Sequence, residues 1–197
     1  MIENLKPFYN AALKPVAAFL ARVNVHPNAI TGAGVALSAA AAYFCATGGW
    51  PAAALLVFAG SCMDGLDGLV ARQTGKKSGF GAVLDSAGDR ITEAAWFFGI
   101  MVYYMENPGY GGAGVYLAFL AQTGSQMVSY VRARCEGAGI SCRQGILQRP
   151  ERIVVIIACL LLGPEAMVWG LGILSVLACA TVAQRLIIAH RAGNNQS

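Results

Sequence analysis

Residues 63–90 read MDGLDGLVARQTGKKSGFGAVLDSAGDR. Four carboxylates, Asp64, Asp67, Asp85 and Asp89, fall within 26 residues of a chain that has only ten acidic side chains in 197. The chain around them is oily: 56% of residues are hydrophobic, 12% are charged, and the mean hydropathy is +0.55. Soluble domains carry roughly 25% charged residues, so this composition belongs to an integral membrane protein. A carboxylate is costly among hydrocarbon and marks function when it is placed there.

Working outward from that stretch, the expected fold is all-α, with six transmembrane helices. A crossing of ~30 Å needs ~20 apolar residues. Stretches of that kind run over about residues 28–47, 51–72, 81–105, 111–134, 150–162 and 166–190, the fifth being short. Gly48-Gly49-Trp50-Pro51, Asn107-Pro108-Gly109 and Gly163-Pro164 mark breaks between them. All fourteen Lys and Arg residues fall before the first span, at or near the second and fourth links, or at the end of the sixth span. The positive-inside rule then puts both termini and both basic links in the cytoplasm.

Ahead of the first span, Ile2, Leu5, Phe8, Tyr9, Ala12, Leu13, Val16, Phe19 and Leu20 recur at helical spacing, which predicts an amphipathic helix over 1–24 lying in the interface. The whole is expected to form one domain over 1–197, with the bundle at 28–190. No secretory signal peptide is expected, because the apolar run at 16–21 is short. Six cysteines without a CxxC pair read as small buried hydrophobes. Gly32, Gly34, Gly65 and Gly68 are expected to let helix backbones approach closely.

Asp64 and Asp67 are spaced i, i+3, and Asp85 and Asp89 i, i+4, so each pair shares a helix face. The two spans are antiparallel and joined by a short link, so the two faces can meet. Four facing carboxylates repel, and a hard divalent cation removes that objection. Oxygen-only ligands favour Mg²⁺, Mn²⁺ or Ca²⁺. Gly65 and Gly68 leave room for a bulky group, and Arg72 with the Lys76-Lys77-Ser78 loop can reach phosphate oxygens. On these residues alone, an ion or proton site in a small cation transporter stays open beside a phosphate-handling enzyme. An inert lipid-binding scaffold would leave the carboxylate pairs unexplained.

Written out, the stretch is Asp64-x2-Asp67-Gly68-x2-Ala71-Arg72-x8-Gly81-x3-Asp85-x3-Asp89. It resembles the full signature of the CDP-alcohol phosphotransferase family, residue for residue and gap for gap. The resemblance implies transfer of the phosphatidyl group of a CDP-linked lipid such as CDP-diacylglycerol to an alcohol, with release of CMP. It implies that Asp64, Asp67 and Asp85, together with Asp89, surround the metal, Mg²⁺ or Mn²⁺, and that Asp89 is the general base. Pro27-Asn28-Ala29-Ile30-Thr31 resembles the Pro-Asn-x-x-Thr stretch of the family. Asn28 to Thr31, Gly68, Arg72 and Ser78 are thereby expected at the CDP-lipid. Asn28 is also a good candidate N-cap for its helix, whose N-terminus favours anions.

The acceptor alcohol is the open question. Ser129-Tyr130-Val131-Arg132-Ala133-Arg134-Cys135-Glu136 and Arg149-Pro150-Glu151-Arg152 place four arginines at two adjoining helix ends. They suit a second anion, although anchoring to lipid headgroups would also use them. The pattern resembles the phosphatidylinositol phosphate synthase branch, with Cys135 where that pattern has Ala. By that resemblance Ser129, Arg132, Arg134, Arg149 and Arg152 would hold the phosphate of an inositol phosphate. A glycerol 3-phosphate acceptor would want arginines as well, and a serine acceptor would not. A lipid bilayer is the expected environment, with a multi-pass protein of the plasma membrane and its active site on the cytoplasmic side. No nucleic-acid partner is expected. The resemblance also implies a homodimer.

Overall fold

A computed structural model describes residues 6–110, 112–142 and 144–194. Among them are seven α-helices: α1 (Lys6–Arg22), α2 (Pro27–Ala46), α3 (Trp50–Gln73), α4 (Gly79–Glu106), α5 (Ala113–Gly137), α6 (Arg149–Leu162) and α7 (Pro164–Asn194). A single 3-10 turn, Pro108–Tyr110, precedes α5. The expected helices are thus present with boundaries shifted by a few residues. Ile2 and Leu5 of the expected interfacial helix, and Arg143 of the second basic link, lie outside the described residues.

Among the described residues, three helices are long and apolar enough to cross a membrane: α2, α3 and α7 over Pro164–Ala192. The other three bundle helices differ from these for reasons visible in their sequences. α4 carries Asp85, Asp89 and Arg90 in its first half and Glu93 at its middle, and α5 ends in Arg132, Arg134 and Glu136. α6 has 14 residues, which at 1.5 Å each is roughly 21 Å. Large apolar side chains such as Phe58, Phe98, Phe119, Leu162 and Trp169 point outward, the surface a bilayer covers.

The chain divides into two compact units, Met1–Gly99 and Ile100–Ser197, with the division inside α4. In the first unit α2 and α3 pack along their length. Gly34 makes this possible, since a Cβ there would stand 3.3 Å from that of Met63. Gly65 serves a different helix pair. A Cβ on it would meet Tyr9 Oη at 2.7 Å and Leu13 Cδ1 at 2.9 Å, and Tyr9 donates to the Ser61 carbonyl at 2.8 Å. The space at Gly65 therefore belongs to α1 and not to a bulky ligand. Gly32 faces open space, and Gly68 is approached only by the guanidinium of Arg72 on its own helix. Neither supports a close helix crossing, contrary to expectation.

The amphipathic α1 has two apolar stripes. Ala17 is buried with Ile30, Leu66 and Val70, and Leu13 and Leu20 pack against them. Phe8, Val16 and Phe19 stay exposed. The helix ends on Asn24 in the left-handed region at φ 57°. Val25 N–H reaches the Leu20 carbonyl at 3.0 Å and Asn24 N–H the Ala21 carbonyl at 3.1 Å. This double bond to the last turn is the Schellman motif, with Asn where Gly is commoner.

In the second unit Tyr104 Oη donates to the Pro164 carbonyl at 2.5 Å. α6 starts with a capping box in which Gln148 and Glu151 satisfy each other's backbone N–H groups, and Pro150 sits in its first turn, where its missing N–H costs nothing. All six cysteines are free, and four are buried as expected. Cys179 is exposed and Cys62 partly so.

Candidate active site

The acidic stretch folds as the end of α3, a short loop and the start of α4. One carboxylate oxygen each from Asp64, Asp85 and Asp89 lies within 4.8 Å of the other two. At an effective dielectric of ~20, each such pair repels by roughly 3 kcal/mol, so the arrangement favours a cation among the three. All the donors are hard oxygens, which fits a divalent ion of the Mg²⁺ or Mn²⁺ type and disfavours softer metals. Arg90 Nη1 is 3.8 Å from Asp89 Oδ2 and donates to the Ser86 carbonyl at 2.6 Å.

Asp67 is the fourth acidic residue, and the structure uses it differently. It is buried, and its Oδ2 accepts the hydroxyl of Thr31 at 2.5 Å. This bond ties α3 to the first turn of α2. Asp67 shares a cleft with Asp85, while Asp64, Asp85 and Asp89 make the tight group. Of the four carboxylates expected at the metal, Asp64, Asp85 and Asp89 form the tight group, and Asp67 lines the adjoining cleft with Asp85.

The cleft has a volume of about 490 Å³. Arg72, Lys76 and Lys77 line it together with Asp67 and Asp85. Of the residues expected at the CDP-lipid, Asn28, Thr31, Gly68, Arg72 and Ser78 converge there. Ala29 and Ile30 do not line it: Ala29 is exposed, and Ile30 is buried in the core with Leu66 and Val70. Helical spacing explains the split, because positions 28 and 31 share one face while position 30 turns toward α1 and α3.

The N-cap of α2 is His26, not Asn28. His26 Nδ1 accepts the Asn28 N–H at 3.2 Å, and Pro27 takes the first helical position. Asn28 is consequently inside the first turn, where its side chain faces the cleft. Ser78 caps α4 by accepting the Gly81 N–H at 3.0 Å. Two helix N-termini, of α2 and α4, therefore border the cleft, and both favour anionic groups.

The arginines of the second unit form a separate group. Arg152 is buried, donating to the Ser125 carbonyl at 3.4 Å and to Ser129 Oγ at 3.5 Å. Arg132 is exposed and pairs with Glu136 one turn on, at 3.0 Å. Arg149 is half-buried at the start of α6, and Arg134 is exposed. Ser129 and Arg152 are thus brought together, whereas Arg132 and Arg134 are both exposed.

Sequence reasoning missed Arg185. It is buried in α7, donating to the Val128 carbonyl at 2.5 Å and the Gln144 carbonyl at 3.0 Å. Its charge acts on those of Arg132 and Arg152. The available signal was a cation standing inside an apolar helix rather than at its end. Thr181, one turn earlier, accepts the Leu147 N–H at 3.0 Å. Together the two side chains pin Gln144 and Leu147 against α7.

Comparison with known proteins gives a consistent result. The model of the CDP-alcohol phosphatidyltransferase family matches residues 24–187, which spans both units. A phosphatidylinositol phosphate synthase of Mycobacteroides abscessus is 35% identical over 181 residues, covering 87% of this chain and 80% of that one. An archaetidylinositol phosphate synthase of Pyrococcus horikoshii is 33% identical over 193 residues, covering 97% of each chain. The phosphatidylinositol phosphate synthase of Mycobacterium tuberculosis, solved with CDP-DAG bound, superposes with a TM-score of 0.82 at 31% identity, covering 89% of this chain and 92% of that one. The same protein has been solved with manganese and citrate, and that form gives a TM-score of 0.80 at 31% identity, covering 89% and 88%.

Proposed function

The chain belongs to the CDP-alcohol phosphatidyltransferase family, and we propose from its acidic site that it transfers the phosphatidyl group of CDP-diacylglycerol to inositol phosphate. The observation that carries this is the triad Asp64, Asp85 and Asp89 adjoining, through Asp85, a cleft lined by Arg72, Lys76 and Lys77. In the reaction the acceptor hydroxyl oxygen bonds to the phosphatidyl phosphorus. The bond from that phosphorus to the CMP oxygen breaks, and CMP leaves as the anion. Asp89 takes the hydroxyl proton.

Asp64, Asp85 and Asp89, with Asp67 nearby, would hold the divalent ion, Mg²⁺ in the first instance and Mn²⁺ as a substitute. When bound, that ion neutralises charge on the diphosphate and on the departing CMP. Arg72 and Lys77 bind phosphate oxygens, Gly68 leaves the helix backbone open to the donor, and the N-termini of α2 and α4 favour the anion. Positioning of the hydroxyl and phosphorus supplies most of the remaining acceleration.

For the acceptor, the candidate cations of the second unit are Arg152 and Arg185, both buried, with Ser129 hydrogen-bonded to Arg152 and Arg132 acting electrostatically on Arg185. The relatives named as inositol phosphate lipid synthases favour inositol phosphate over glycerol 3-phosphate. Arg134 is left to lipid headgroups.

The topology we propose has six crossings, with both termini, both basic links and the active site on the cytoplasmic side of the plasma membrane. The exposed stripe Phe8, Val16 and Phe19 lies in the interface. The working form is a homodimer, which light scattering of the detergent-solubilised protein tests.

The deciding experiment is CMP release from CDP-diacylglycerol and Mg²⁺ with inositol phosphate, glycerol 3-phosphate, serine or free inositol in separate reactions. Release with inositol phosphate alone supports the proposal. Release with glycerol 3-phosphate alone keeps the acidic mechanism and reassigns the arginines. No release with any acceptor returns the acidic cluster to a cation-transport role.

A further inference from the structure

Of the two lysines in the 74–78 loop, one is tied to a residue far from it in sequence. Lys76 Nζ donates to Asn24 Oδ1 at 2.7 Å, across 52 positions of the chain. Asn24 is also the one non-glycine residue with positive φ among the described residues, at 57°. The same residue therefore ends α1 with its backbone and receives the loop with its side chain. The loop's two ends are already held. Thr74 donates both its N–H and its hydroxyl to the Val70 carbonyl at 2.9 Å, and Ser78 caps α4. Between them, Lys76 and Lys77 are the charges that line the cleft.

We propose that Asn24 is a positioning residue for the donor site, which anchors Lys76 and so holds the 74–78 loop where its cations meet a lipid-linked nucleoside diphosphate. The inference rests on the CDP-lipid reading above. An untethered lysine samples many rotamers, and ordering it on binding costs affinity. A lysine already held in place avoids part of that cost. The tether further joins the loop to α1, the helix whose Phe8, Val16 and Phe19 are exposed. A donor that arrives from the lipid phase thus meets a loop fastened to the lipid-facing helix.

Asn24→Gly separates the two roles of the residue. Glycine adopts the left-handed region without a Cβ penalty, so α1 keeps its end while the tether is lost. Asn24→Asp keeps an acceptor and adds charge. The expected result is that Asn24→Gly raises the KM for CDP-diacylglycerol by about 3- to 10-fold, the net size of one solvent-exposed hydrogen bond. kcat and the acceptor KM stay within about twofold, and Asn24→Asp restores the donor KM. Asn24→Gly combined with Lys76→Ala is no worse than Lys76→Ala alone. An unchanged donor KM in Asn24→Gly, failure of Asn24→Asp to restore it, or additive effects in the double variant would overturn the proposal.

Amide hydrogen exchange without substrate provides an arm independent of the reaction. Asn24→Gly and Lys76→Ala should each speed exchange over 74–78 and leave α1 unchanged. Equal exchange in wild type and both variants overturns the tether. If wild type released no CMP with any acceptor, the donor reading would fail while this arm still decided the tether.

Discussion

The acidic cleft of the first unit and the arginine group of the second are built on opposite plans. In the cleft, the charged groups come from one continuous stretch, and the metal-type ligands Asp64, Asp85 and Asp89 are only partly buried. In the arginine group, the principal cations come from α6 and α7, are fully buried, and are held by carbonyls of α5 and of the 138–148 loop. The first is suited to an ion and a substrate that come and go. The second is a rigid cationic wall whose shape is set by packing. A site laid down by local helical spacing can be read from a motif, whereas one assembled from helix interiors cannot.

The largest expected effect falls on the acidic side of this comparison. Asp89→Asn should lower kcat by roughly 10²- to 10⁴-fold, the usual share of a general base, with CDP-lipid binding largely kept. Near-normal turnover in that variant would remove Asp89 as the base. Chelation of divalent ions should likewise abolish CMP release, with Mg²⁺ or Mn²⁺ restoring it. Activity that persists in excess chelator would break the assignment of the triad to a metal.

On the basic side, Arg185→Ala should raise the acceptor KM about 10- to 100-fold, since hydrogen bonds to charged groups contribute ~1.5–3 kcal/mol, while the donor KM stays near wild type. Arg134→Ala, on the exposed side of α5, should change neither by more than about twofold. Equal effects of the two variants would mean that burial does not mark the acceptor arginines, and headgroup anchoring would then explain the cluster better.

A smaller, structural effect sharpens the contrast from the other direction. Gly65→Ala brings a methyl to within 2.7 Å of Tyr9 Oη and 2.9 Å of Leu13 Cδ1, so these α1 side chains must repack, at a cost of about 1–3 kcal/mol. Thermal unfolding in detergent measures it. If Gly65 instead made room for the donor, the variant would keep its melting temperature and lose donor affinity.

The sequence by itself determined the helices, their apolar character and the spacing that puts Asp64 with Asp67, and Asp85 with Asp89, on one helix face each. These follow from periodicity and from gaps of three or four residues, which fix a helix face without reference to anything distant. It also located Asn28, Thr31, Gly68, Arg72 and Ser78 at one cleft through family resemblance. Only the tertiary structure decided that Asp67 turns to Thr31, 36 positions away, that Tyr9 fills the space at Gly65, that Ile30 is core, and that His26 takes the cap expected of Asn28. It alone brought in Arg185, whose carbonyl partner Gln144 is 41 positions distant. The physical reason is common to all of these: local spacing says which way a side chain points, but which atoms it meets is set by packing against helices remote in the chain.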